Sequence, residues 1–362
     1  MSRYILVGAN PRGILSHHGG VLTLSKGLMD HAAKRGHVVD VVNTMRLGFD
    51  QLSAWPRMKA GLGRLMDLAK GLRSGECQGV IIFSGAGLSF YERVLMAAIC
   101  RLQGVRTLLV IVDGWFLELV KSSALKRWWI ALLLGIPHKL AASGKRWVDF
   151  YGDFGVDPAR IATIHYWLPA AFAIAEMPKA AAAEKGLRFI FVGWMIEEKG
   201  IHELLAAIEE LRARHAFSFI FIGGGTLLEY VREKIRKSSW GESVSAPGWV
   251  SDDAFQEILS SCDVFVLPSY AEGFPMSLIE AFSRGLPAIA TDVGGISDSL
   301  IDGVNGYLIP PRQVRPLAAA MERYLVDPAI VCRHSLAALQ IVRTNHDAET
   351  NCALVLGALC RV

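Results

Sequence analysis

The sequence predicts an α/β protein of two tandem domains, each built on a parallel sheet. Three observations carry that reading. Short β-branched runs alternate with helix-like stretches in two separate series. An alanine-rich segment with two prolines interrupts the alternation. The 362 residues also exceed what one ordinary core takes up.

The first series opens with RYILVGA (3–9), a short apolar run ending in glycine, as suits a buried parallel strand. The loop SHHGG follows, then a helical pattern over about 21–34 and the run GHVVDVVN (36–43), which completes a strand–loop–helix–strand unit. GVIIFSGA (79–86), RTLLVIVDG (106–114), HKLAAS (138–143) and ARIATIHY (159–166) continue the series. The interruption, LPAAFAIAEMPKAAAAEKG (168–186), has no periodic partner and reads as an interdomain connection. Strand-like runs then resume at 187–193, 217–225, 263–269 and 286–292, with helical patterns over about 200–214, 226–237, 253–261 and 276–284. The expected domains are 1–167 and 187–344, with a helix at about 345–362 packing back on the first. Ligands of such sheets bind at the C-terminal ends of the strands, so a central cleft between the two domains is the expected site.

Composition narrows the function classes. Thirty-eight basic against 34 acidic residues give a net charge of +4, too mild to argue for nucleic acid but compatible with anionic substrates or an anionic membrane face. The six cysteines are scattered without metal-ligand spacing and read as reduced, mostly buried small hydrophobes. MSRYILVGAN runs straight into a strand, which leaves no room for a signal peptide, and WWIALLLGI (128–136) is half the length of a membrane span. The expected location is cytoplasmic.

The stretch SYAEGFPMSLIEAFSRGLP (269–287) holds two carboxylates, Glu272 and Glu280, on either side of a helix start. DVFVLPS supplies a strand, YAEGF the loop leaving it, and PMSLIEAFSRG a helix with Pro275 near its first position and Gly285 closing it. The amides of Met276, Ser277 and Leu278 at that end form an anion site. A nucleotide-sugar fits: diphosphate on the helix end, hexose at one acid, ribose at the other. On spacing alone, a solvated loop acid and an exposed helix acid remain the alternative.

FVGWMIEEKGIHELLAAI (191–208), FIGGGTLLEYV (221–231) and the run from 246 to 311 together resemble the C-terminal half of retaining glycosyltransferases of family 4, which have the two-Rossmann GT-B fold. Glu272 and Glu280 match that family's E-x7-E pair; the N-terminal half resembles it more loosely through 17–42. The resemblance implies that Glu280 binds ribose hydroxyls and that Glu272 contacts the donor hexose with the amides of Gly273 and Phe274. It implies that Met276, Ser277 and Leu278 serve the diphosphate and that Lys199 stabilises the leaving group. Gly19 and Gly20 would line the opposite wall, and Gly193, Gly223, Gly224 and Val250 would border the nucleotide. Two positions depart from the pattern. Trp194 stands where the family has a phosphate-binding arginine, and Asp113 where many members have a histidine facing the reacting sugar. Asp113 is a candidate to orient the acceptor hydroxyl or take its proton, or else a turn residue before Gly114. His17 and His18 are rival candidates on the acceptor side, and His165 reads as a hinge residue.

The chain contains no D-x-D, which agrees with a metal-independent enzyme; neither metal nor cofactor is expected. The segment 123–140 mixes basic residues with two tryptophans and a leucine run, and 56–75 sets Lys59, Arg64, Lys70 and Arg73 among apolar residues, as an amphipathic helix on a membrane face does, or one packed on a sheet. The expected function is transfer of a hexose, with retention, from a nucleotide-diphosphate sugar to a glycan acceptor, lipid-linked, at the inner face of a bacterial membrane. The expected pathway is lipopolysaccharide or exopolysaccharide assembly. The rivals are an epimerase on the same fold and a nucleotide-sugar-binding protein without catalysis. An NAD-linked dehydrogenase is weaker, because GANPRG (8–13) lacks the G-x-G-x-x-G fingerprint.

Overall fold

The structure is a computed structural model and describes residues 2–11, 19–45, 54–73, 75–120, 123–169, 172, 174–179 and 186–360. The chain divides into two compact units, Met1–Ala170 with Asp347–Val362, and Ala171–His346.

In the first unit the strands β1 (Arg3–Gly8), β2 (Val38–Asn43), β3 (Cys77–Ser84), β4 (Arg106–Ile111), β5 (Lys139–Ala142) and β6 (Ile161–Thr163) form one parallel sheet in the order β2-β1-β3-β4-β5-β6. The direction of travel reverses once, after β2. Because crossovers are right-handed, the helix Gly20–Lys34 lies on one face and the helices Ala54–Arg73, Leu88–Leu102 and Ala124–Leu134 lie on the other. The second face is sealed by a core that includes Ile5, Ile82, Phe90, Leu109, Phe116, Leu134 and Trp147. The helix Ala348–Gly357 packs on Gly20–Lys34, where Glu349 pairs with Arg35 and lies 3.1 Å from His31 Nδ1. This helix is shorter than the 345–362 expected, because the long helix Ala329–Asn345 ends only at Asn345 and Asp347 caps the next one through Thr350.

The second unit repeats the architecture. Strands β7 (Arg188–Val192), β8 (Ser218–Ile222), β9 (Val244–Gly248), β10 (Val264–Leu267), β11 (Ala288–Thr291) and β12 (Gly306–Ile309) are parallel, in the order β12-β11-β10-β7-β8-β9. The edge strands β9 and β12 were not among the sequence expectations. Phe189, Phe219 and Phe221 fill the centre of the sheet. The direction reverses between β7 and β10, so the C-terminal ends of these two neighbours open side by side, as at ligand sites of open α/β sheets. Within the segment expected as an interdomain connection, Leu168 is buried and Ala175 N–H donates to the Ser283 carbonyl at 2.8 Å. No single described helix is long and apolar enough to cross a membrane.

Candidate functional site

The loop that leaves β10 carries Glu272, and the turn that leaves β7 carries Lys199. Adjacency of the two strands brings these residues together: Lys199 Nζ lies 2.5 Å from Glu272 Oε1, which also accepts from Ser269 Oγ at 2.7 Å. Glu272 is 8% exposed, so the ion pair neutralises a carboxylate that burial would otherwise penalise. Two further contacts fix the loop. Thr291 Oγ1 donates to the Ser269 carbonyl at 2.5 Å, and Gly295 N–H donates to the Gly273 carbonyl at 2.8 Å. Gly294 makes this bracing possible: it is left-handed (φ 55°), and a Cβ there would stand 1.6 Å from the Glu272 carbonyl oxygen.

The helix Met276–Ser283 starts directly after, with Pro275 at its N-cap. Leu278 N–H closes a turn on the Pro275 carbonyl at 3.1 Å. Met276 and Ser277 supply the amides that an open helix end offers. Phe274 is buried, its ring 5.4 Å from that of His346.

Glu280, one turn inside the helix, is in a different state. It is half-buried, and burial together with the nearby charge of Asp252 pushes its carboxyl up to about 7. Among the described residues no side chain or amide donates to its carboxyl oxygens; Ser283 Oγ bonds only its backbone carbonyl, at 2.7 Å. A desolvated acid without a donor is suited to accept hydrogen bonds from a ligand's hydroxyls.

The remaining predicted positions of this unit lie at the ends of β7, β8 and β9. Gly193 and Gly223 form a close backbone crossing, with a Cβ on Gly223 falling 1.8 Å from the Gly193 carbonyl oxygen. The absence of side chains here thus serves the chain's own packing. Gly224 lies under Trp249, and a Cβ there would come 2.7 Å from the indole nitrogen. Trp194 packs edge-on against Trp249, ring centres 5.2 Å apart, and Val250 is half-buried beside it in sequence. Sequence reasoning did not find the Trp194–Trp249 pair, whose partners stand far apart in the chain.

In the first unit Asp113 is tied to backbone: Oδ2 accepts from Ala86 N–H and Oδ1 from Trp115 N–H, both at 3.0 Å. It fastens the end of β4 to the end of β3. Gly19 caps the helix Gly20–Lys34, its carbonyl accepting from Leu22 and Thr23. His17 and His18 lie outside the described residues. Among the described residues, no three His, Cys, Asp or Glu side chains gather as a metal-ligand group.

Residues 173–338 match the family described as glycosyl transferases group 1. This stretch of the chain is similar to the group 1 glycosyltransferases. It is 32% identical over 201 residues to a glycogen synthase of Mycobacterium tuberculosis, covering 54% of this chain and 47% of that protein. It is also 38% identical over 135 residues to a putative teichuronic acid biosynthesis glycosyltransferase of Bacillus subtilis, TuaC, covering 37% and 32%. The matches thus span less than half the length of these glycosyltransferases. Sucrose-phosphate synthase from Thermosynechococcus elongatus superposes with a TM-score of 0.77 at 20% identity, covering 99% of this chain and 98% of that one. The fold of the two parallel-sheet units is GT-B.

Proposed function

We propose that the protein transfers a hexose, with retention of configuration, from a nucleotide-diphosphate sugar to a sugar hydroxyl of a glycan acceptor in bacterial surface-polysaccharide assembly. The observation that carries the reading is the contrast between the two glutamates. Glu272 is neutralised by Lys199, whereas the half-buried Glu280, one turn into the helix, carries a raised carboxyl that no donor among the described residues engages. In this reading Glu280 receives the ribose hydroxyls, and the amides of Met276 and Ser277 receive the diphosphate. Lys199 already lies against Glu272, so the two can bridge the donor's hexose and its phosphate. As the glycosidic C–O bond breaks, Lys199 stabilises charge on the departing phosphate. The acceptor hydroxyl attacks from the same face, and its proton passes to a phosphate oxygen of the leaving group. Asp113 keeps lone pairs beyond its two backbone bonds and orients the acceptor hydroxyl. A lipid-linked acceptor on the membrane face belongs to the same proposal.

The experiment is a thermal-shift panel with UDP, GDP, ADP and NAD on the wild type and on Glu280→Ala. A ligand at 100 times its Kd adds about 2.7 kcal/mol, a rise of several degrees. One nucleoside diphosphate should stabilise the wild type and lose that effect in the variant. If none does, or NAD alone does, the reading fails. One observation favours a nucleotide-sugar-binding protein without catalysis: an indole, packed on Trp249, holds the position of the family's arginine. Turnover of a stabilising donor separates the two, and dependence of that turnover on acceptor separates transfer from epimerisation.

A further inference from the structure

Twelve of the nineteen exposed large apolar side chains among the described residues lie on three helices, Ala54–Arg73, Leu88–Leu102 and Ala124–Leu134. All three cover the same face of the first sheet. Arg64 on the first bonds Glu92 on the second through Nε and Nη2 at 2.7 and 2.9 Å. Arg101 on the second donates to the carbonyls of Gly135 and Ile136, just past the third. The helices therefore form one layer whose inner side is the core and whose outer side is open to solvent.

On that outer side the exposed residues follow helical spacing. Trp55, Met58, Leu62 and Met66 recur every three or four positions, with Trp55 70% exposed. Leu88 (81%), Tyr91 and Leu95 repeat the pattern on the next helix. Leu125 (75%), Trp128, Trp129 and Leu132 do so on the third. Apolar stripes side by side on adjacent helices make a patch, which a water-facing surface does not otherwise keep.

Charge selects what covers it. The three helices contain nine basic residues against two acidic, although the whole chain is only +4, so the remainder is net negative. Lys59, Lys70, Arg73 and Arg127 are exposed along the stripes. A second copy would bring two such basic faces together and be repelled. An anionic bilayer takes both features, with indoles and leucines at the acyl boundary and ammonium and guanidinium groups among phosphate headgroups. We infer that this three-helix face docks the protein on an anionic lipid surface. The inference deepens the proposed membrane-linked acceptor, but the binding itself needs neither donor nor turnover.

The test is co-sedimentation, without nucleotide, on vesicles of phosphatidylcholine alone and with about one-third phosphatidylglycerol. The wild type should pellet with the anionic vesicles, stay in solution with the neutral ones, and be released by 0.5 M salt, which shortens the Debye length to about 4 Å. The exposed pairs Trp128→Ser/Trp129→Ser and Met58→Ser/Leu62→Ser should each lower partitioning about tenfold or more, with unchanged melting temperature. The pair Val326→Ser/Leu336→Ser, equally exposed on the second unit, should leave it unchanged. Wild-type protein that ignores both vesicle types overturns the inference, as does a loss by the control pair equal to that of the stripe pairs. Light scattering that reveals a dimer dissolved by the stripe substitutions would instead assign the face to self-association, and overturn it too.

Discussion

Replacing Glu280 by glutamine should stabilise the ligand-free protein above pH 7 while weakening its hold on a nucleoside diphosphate. The carboxyl is raised from its ordinary 4.5 to about 7, chiefly by burial. At 1.36 kcal/mol per pH unit, that rise costs the folded state about 3 kcal/mol once the group is fully ionised. Partial exposure reduces the figure, so about 1–3 kcal/mol is expected. Between pH 4.5 and 7 the folded state holds more protons here than the unfolded one. Stability from this group is therefore complete below 4.5 and is lost as pH rises through 7. Glutamine removes the charge and with it the loss. In the assay, melting curves of the ligand-free wild type and Glu280→Gln are compared at pH 8.5 and pH 5. The variant should melt roughly 2–10 °C higher at the first pH, with the gap shrinking to a small fraction at the second. Titration with the nucleoside diphosphate that stabilises the wild type should show at least tenfold weaker binding by the variant. A gap of equal size at both pH values would refute the reasoning, because the difference would then not come from ionisation of the carboxyl. So would a variant less stable at pH 8.5, because the carboxylate would then have a partner in the fold.

Three further outcomes follow from named contacts. Lys199→Met and Glu272→Gln should each destabilise the protein, and the double variant should lose at least about 1 kcal/mol less than their sum, read by denaturant titration. Donor turnover should fall about a hundredfold or more in Lys199→Met. Gly294→Ala sets a Cβ 1.6 Å from the Glu272 carbonyl in a left-handed backbone, so it should cost at least about 2 kcal/mol and weaken nucleotide binding, measured by melting and calorimetry. Removing residues 347–362 exposes the sites of Cys352, Val355, Leu356 and Leu359, all buried. At about 1.5–3 kcal/mol each, their loss should leave the first unit protease-sensitive while the second survives digestion.

The central strands of both sheets were legible in the sequence because they are buried on both faces and read as unbroken β-branched runs. Strands β9 and β12 were not. They are edge strands of five and four residues, one containing Pro247, and an edge needs less apolar character than a centre. The two glutamates could be placed because one loop and one helix hold both. Their difference could not: the cation that satisfies Glu272 comes from 73 residues away, through the pairing of β7 with β10. Asp113 shows the same limit, since Asp-Gly reads equally as turn or catalyst until Ala86 is found donating to it. The helix Leu88–Leu102 is apolar on two sides, and nothing in its periodicity tells the buried side of Phe90 and Val94 from the open side of Leu88 and Leu95.

The return of the chain to the first unit after His346 sets an order of events during synthesis. The second unit is one unbroken stretch of sequence, nested between two stretches of the first. On the ribosome, where domains generally close in the order they emerge, the inner unit can complete its fold while the outer one still lacks the helix that Arg35 and His31 engage. Of these two units the one begun earlier is then completed later, and until the helix Ala348–Gly357 arrives its open flank is the segment a chaperone would be expected to guard.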